Sequence, residues 1–218
     1  MMRTQSASKT RAGSPHKRER ILEAARTLFL TEGYERTSVD AISARAEVSK
    51  RTVYDYFGDK EAVFVAVVEA AKRTLMASVQ AALDDELTEG RDLGAALLGF
   101  TRRVATDTFS SSSYVVLRKL LVTEAARFPL PGQPAGDTPE TKIAERFATL
   151  TQVGLLEAPN ALRAAEHFTA LTFVLALDHL GQNSWRELGS DDLAEIDPIL
   201  VDGVAAFLRA YGPLRRLP

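Results

Sequence analysis

Apolar residues return at steps of three and four along nearly all of this 218-residue chain, while the alternation that marks a β-strand is weak throughout. A helix with one apolar stripe must bury it against another element, so the pattern commits the chain to an all-α fold. Ile21, Ala24, Ala25, Leu28 and Phe29 form the first stripe, behind a Ser14–Pro15 start signal and ahead of a stop at Gly33. Thr37 and Asp40 have capping-box spacing for a short second helix carrying Val39, Ile42 and Ala46. Ser49 can cap a third helix through about Phe57, with Val53 and Phe57 facing inward and Gly58 ending it. Asp59 can cap a fourth, whose apolar positions Val63, Val67, Ala71, Leu75 and Val79 carry it to about Leu83.

The rest of the chain reads the same way. Leu93, Leu97, Phe100 and Val104 mark one helix, and Leu117, Leu121 and Ala125 another. Phe128 to Pro139 places six Pro or Gly among twelve residues, which forbids regular helix and predicts a surface loop. Ile143, Phe147 and Leu150 then define a helix, Asn160 to about Leu180 a longer one, and Asp197 with Pro198 opens the last. Seven of the eight residues from Ala170 to Leu177 are apolar, so that helix needs cover on more than one side. The final helix carries a continuous stripe through Ile196, Ile199, Leu200, Val204, Phe207, Leu208 and Tyr211, with Gly203 allowing close approach. Two arrangements satisfy such a pair. One is an isologous two-fold interface between copies, with Phe173, Leu177, Leu200, Val204, Phe207 and Leu208 in contact; the other is a core helix within one subunit.

Charge is divided unevenly. Through Lys60 the chain carries 12 basic and 8 acidic residues, net +4, whereas the remainder carries 15 against 21, net -6. A basic end joined to an acidic body is the asymmetry expected where one end meets a polyanion. Within that basic end, two short helices joined by a tight turn and preceded by a supporting helix form a helix-turn-helix arrangement. The second of the pair fits the major groove of B-DNA, where base edges present distinguishable donors and acceptors. Ser49, Lys50, Arg51, Thr52, Tyr54 and Tyr56 crowd that helix with hydroxyls and cations. The alternative for these residues is a solvated polar helix, against which two exposed tyrosines on so short an element weigh.

The segment AEVSKRTVYDYFGDKEAVF, Ala46 to Phe64, resembles the TetR family of bacterial transcriptional regulators, and the resemblance extends back to Arg18. It implies a homodimeric DNA-binding regulator, most readily a ligand-responsive repressor on a palindromic double-stranded operator, with an activator or effector-independent regulator of the same fold as the alternative, built as an N-terminal three-helix helix-turn-helix domain and a C-terminal helical bundle. The expected organisation is a flexible basic arm over 1–14, a DNA-binding domain over 15–62 and an effector-binding and dimerisation domain over 63–218. Carried over residue by residue, Thr37, Ser38 and Lys60 look like phosphate contacts, Ser49, Lys50, Arg51 and Thr52 enter the groove, and Tyr54 and Tyr56 bracket it. Asp55 is expected to face away from DNA. Two positions depart from the family pattern: Glu47 stands at a turn commonly held by Gly, and Arg51 replaces a second Gly. Beyond Phe64 only the helical layout matches. The basic arm, with Arg3, Lys9, Arg11, Lys17, Arg18 and Arg20, either lies along phosphates or in a flanking minor groove or is a plain disordered tail.

For a small-molecule effector the candidate lining residues are Phe100, Tyr114, Leu117, Leu121, Phe147, His167 and Leu171, the alternative for each being core packing. His167 and His179 lie twelve residues apart, out of register for a shared metal, and no metal or cofactor is expected. Trp185 reads as a lid or an anchor in a polar loop. The chain holds no G-x-S-x-G, P-loop, G-x-G-x-x-G or H-E-x-x-H motif, which argues against an enzyme; a helical adaptor that binds protein is the remaining class. The longest charge-free apolar stretch, 11 residues between Glu166 and Asp178, falls short of the ~20 that span a bilayer, and with no cysteine and no apolar leader a cytoplasmic location is expected.

Overall fold

The computed structural model describes residues 15–88, 90–111, 114–115, 118–119, 138–181 and 187–213. Residues 1–14 of the basic arm, Leu117, Leu121, Ala125, Trp185 and the Pro- and Gly-rich stretch up to residue 137 lie outside them. Among the described residues the secondary structure is helical: α1 (Pro15–Thr31), α2 (Val39–Arg45), α3 (Lys50–Phe57), α4 (Lys60–Glu86), α5 (Leu93–Val104), α6 (Pro139–Gln152), α7 (Ala161–Thr169), α8 (Leu175–His179) and α9 (Ser190–Tyr211). Two π-helical turns continue this set, Ala105–Phe109 after α5 and Ala170–Val174 between α7 and α8.

Residues 1–69 and 70–218 form two compact units, the division falling inside α4. In the first unit Ile21, Ala25, Phe29, Ile42, Val53 and Val63 are buried, and Phe29, Tyr34 and Phe64 close a ring triangle with centroids 5.1–5.6 Å apart. Such aromatic pairs each add ~0.5–1.5 kcal/mol beyond the area they bury. Helix ends follow local chemistry. Gly33 and Gly58 leave α1 and α3 at φ 85° and 87°, a region open to glycine, and Asp59 Oδ1 accepts the Ala62 amide at 2.7 Å in the first turn of α4.

The second unit is built on a core of Leu83, Leu97, Phe100, Phe147, Phe168, Ile196, Leu200 and Phe207. Phe147, Phe168 and Phe207 lie within 5.1–5.5 Å of one another, so α6, α7 and α9 share one aromatic centre. The last helix starts at Ser190, ahead of the expected Asp197–Pro198 opening. Gly189 donates its amide to Asp192 Oδ2 at 2.8 Å, which supplies the cap that Pro198 was expected to mark, and Pro198 lies inside the helix.

Four of the six residues expected at a two-fold interface belong to the inward stripe of their helices. Phe173, Leu200, Val204 and Phe207 are buried in their own subunit, and Leu177 and Leu208 pack against the same core. A ring already enclosed by its own chain has no surface to offer a partner. The apolar residues that α8, α9 and the second π turn leave outside are their neighbours: Val174 is 55%, Leu175 51% and Val201 38% exposed.

Candidate nucleic-acid interface

The first unit positions α3 through its caps and one anchor. Ser49 Oγ accepts the Thr52 amide at 3.1 Å and lies 2.8 Å from Thr52 Oγ1, fixing the first turn, while Val53 is buried against the unit's core. Lys50, Arg51, Tyr54 and Asp55 are left exposed. The connection from α2 is tight: the Val48 amide returns to Ser43 O at 3.0 Å, and Glu47 takes φ 50°. A residue with a Cβ in that left-handed conformation is strained by ~1–2 kcal/mol. Arg20 on α1 donates to Glu47 Oε2 at 2.6 Å, which ties the turn to the supporting helix.

The cations of α3 are held by acids. Lys50 Nζ lies 2.9 Å from an Asp40 carboxylate oxygen, across from the first turn of α2, and that hydrogen bond raises the Lys50 pKa above its ordinary value. Arg51 is 3.8 Å from Asp55, one turn along the same helix. Asp55, expected to face away from DNA, is a surface neighbour of Arg51, because residues four apart on a helix lie one turn from each other. Tyr54 is 44% exposed, whereas Tyr56 is half-buried with its ring 6.3 Å from Phe57.

At the entrance to α2 the helix cap is Ser38, whose Oγ accepts the Ala41 amide at 3.1 Å. Thr37, expected to cap and to touch phosphate, is buried, and its hydroxyl donates to Gly33 O at 2.8 Å. That hydroxyl is therefore committed to the connection between α1 and α2. Lys60, expected on phosphate, bends inward: its ammonium donates to Tyr34 O at 2.9 Å and Thr37 O at 3.1 Å and sits 4.1 Å above the Tyr34 ring. Both residues brace the α1–α2 connection from beneath. Arg18, within the resemblance, lies 5.3 Å over the Phe57 ring. Sequence reasoning missed Asp40 as the partner of Lys50, since no helical spacing links positions on two different helices.

Of the residues expected to line an effector site, Leu117 and Leu121 lie outside the described residues, and Phe100 and Phe147 both pack on Phe168. Phe100 and Phe147 are core rings of the second unit, Leu171 is partly buried, and Tyr114 packs its ring 4.9 Å from Phe109. His167 is exposed, with Nδ1 2.6 Å from the Tyr211 hydroxyl, so it joins α7 to α9 on the outside. Among the described residues there is no group of three or more His, Cys, Asp or Glu able to hold a metal, and no helix long and apolar enough to cross a membrane.

A capped, exposed, cation-bearing second helix held at a tight turn by a supporting helix defines a helix-turn-helix DNA-binding protein. Residues 21–67 match the model of bacterial regulatory proteins of the tetR family, and residues 95–213 match the model of the AefR-like transcriptional repressor C-terminal domain. The chain belongs to the TetR family; it is a DNA-binding transcriptional regulator and not an enzyme. It is similar to the HTH-type transcriptional activator FasR of Mycolicibacterium smegmatis, 32% identical over 202 residues, covering 93% of this chain and 84% of FasR. Its match to the HTH-type transcriptional regulator TcmR of Streptomyces glaucescens is 33% identical over 63 residues and spans 28% of TcmR. Among solved structures, a TetR-family regulator from Mesorhizobium loti is similar at TM-score 0.79 and 25% identity, over 92% of this chain and 100% of that one. The flavonoid-responsive regulator FrrA is similar at TM-score 0.69 and 27% identity, over 92% and 100%.

Proposed function

We propose that this protein is a ligand-responsive homodimeric repressor in which two copies of α3 enter successive major grooves of a palindromic operator. The observation that carries the reading is the set of exposed Lys50, Arg51 and Tyr54 side chains on a short helix capped by Ser49 and anchored by Val53. Arg51 is the reader of sequence, since Arg pairs bidentately with guanine O6 and N7. Lys50 exchanges Asp40 for a phosphate or base edge, Ser38 and Ser49 with the α2 and α3 amides hold phosphate, and Tyr54 packs on the backbone. Thr37, Thr52, Tyr56 and Lys60 support the helix and the turn from the inside.

The second unit then senses an effector and joins the copies through Val174, Leu175 and Val201. An effector acts by favouring a dimer whose two α3 helices no longer match groove positions ~34 Å apart. FasR, similar over most of the chain, is named an activator, so activation on the same kind of site is the second reading. Selection of genomic fragments by the purified protein tests the first. Recovered sites with inverted symmetry, beside promoters that fire more strongly when the gene is deleted, support repression; promoters that fall silent support activation.

A further inference from the structure

We propose that the two π-helical turns frame a binding site for an uncharged aromatic molecule carrying hydrogen-bonding oxygens, engaged by the hydroxyls of Ser110 and Thr169 beside the Phe109–Phe173 ring pair. This rests on the reading of the second unit as an effector-sensing body and gives that effector its chemistry. A π turn inserts an extra residue into a helix and is frequent at functional sites. Here there are two, and they meet: Phe109 of the first contacts Phe173 of the second edge-on at 5.5 Å.

The hydroxyls at their margins are unusual. Ser110 directly follows the first turn and Thr169 directly precedes the second, and among the described residues their Oγ and Oγ1 atoms are the buried side-chain polar atoms without a hydrogen-bond partner. Three other hydroxyls of the same helices and turns are paired. Thr108 Oγ1 lies 2.8 Å from Ser78 Oγ, Thr172 donates to Phe168 O at 2.7 Å, and Thr101 donates to Leu98 O at 2.9 Å. A buried hydroxyl left unpaired destabilises the fold, so two of them at the margins of touching π turns point to a partner supplied from outside. Each hydroxyl can donate and accept.

The residues around that ring contact are aromatic. Phe173 also meets Phe100 at 6.1 Å and 72°, and Phe109 lies against Tyr114 at 4.9 Å. A flat ring with an offset or edge-on approach extends this set. Charge is disfavoured there, because burial pushes the Tyr114 phenol up to about 12 even though Arg118 pulls the other way. Desolvation of the same kind opposes a buried carboxylate, since the Arg118 charge does not outweigh it at Tyr114.

The test uses the full-length protein without DNA and three probes in isothermal titration: 4-hydroxyacetophenone, the anionic 4-hydroxybenzoate, and ethylbenzene. The neutral phenol is expected to bind at least tenfold more tightly than either of the others. Thr169→Val and Ser110→Ala are expected to melt at or above the wild-type temperature while binding the neutral probe about three- to tenfold more weakly, the worth of one hydrogen bond. Lower melting with unchanged binding would mean that trapped water serves the hydroxyls and would overturn the proposal. So would equal binding of the anion, or no binding of any probe. Binding of the neutral probe with unchanged operator affinity would instead contradict the effector-sensing reading and leave the site standing.

Discussion

Glu47 carries the clearest strain in the first unit, at φ 50° without the freedom of glycine. Replacement by Gly removes the left-handed penalty of ~1–2 kcal/mol, against which stand the lost Arg20 pair, worth up to ~1 kcal/mol at an exposed site, and the extra entropy of an unfolded Gly. Glu47→Gly is expected to change stability by no more than ~1 kcal/mol, whereas Glu47→Gln, which keeps the strain and loses the ion pair, lowers it; thermal melts of both separate the two terms. Lys60→Met removes the braces to Tyr34 and Thr37 and is expected to lower the melting temperature and to weaken cognate and scrambled DNA alike. Arg51→Ala is expected to lose ~1–3 kcal/mol of discrimination at a single base position with the melt unchanged, as read by a binding series over single-base variants. The positions of these residues were legible in the sequence. Their directions were not, because Lys60 and Thr37 are turned inward by carbonyls of a connection that has no periodicity to read.

Helices were legible wherever a start or stop signal stood at their ends, as with Ser49 before α3, Asp59 before α4 and Gly33 after α1. The two π turns were not, since one extra residue within five leaves the wider apolar stripe intact. Pro198 misled for a different reason: proline marks a first turn when nothing precedes it, but Asp191 and Asp192 had already started α9. Gly203 was rightly read as a site of close approach, and the structure gives its partner. A Cβ there would collide with the Leu171 carbonyl, a backbone atom that cannot swing aside. Gly203→Ala is expected to lose ~1–3 kcal/mol of stability in a denaturant melt, the range of core overpacking. Arg102 on α5 grips Asp197 on α9 through two bonds of 2.6 and 2.8 Å, and this holds the Asp197 carboxyl below its ordinary pKa. A depressed carboxyl stabilises the fold above the ordinary carboxylate range and loses that contribution as pH falls through its folded value. Asp197→Asn is therefore expected to flatten the acid limb of the stability curve while leaving a lower plateau at neutral pH.

Across the molecule, the basic end and acidic body seen in the sequence correspond to a first unit that presents cations on α3 and a second unit rich in buried rings. The sequence could not decide whether the last helices face a partner or a core, because both demand apolar stripes. The structure resolves the inward stripe and leaves Val174, Leu175 and Val201 outside it. Val174→Asp with Val201→Asp is expected to give monomers with an unchanged melt in sedimentation, whereas Phe207→Asp unfolds the second unit. The account's central claim is that α3 reads the major groove as a symmetric pair, and methylation interference on a selected genomic fragment measures that directly. Methyl groups at guanine N7 are expected to abolish binding at two positions related by inversion and separated by about one helical turn, with adenine N3 methylation in the minor groove between them tolerated. Binding indifferent to every N7 methyl group, or blocked at one unpaired position alone, would contradict it.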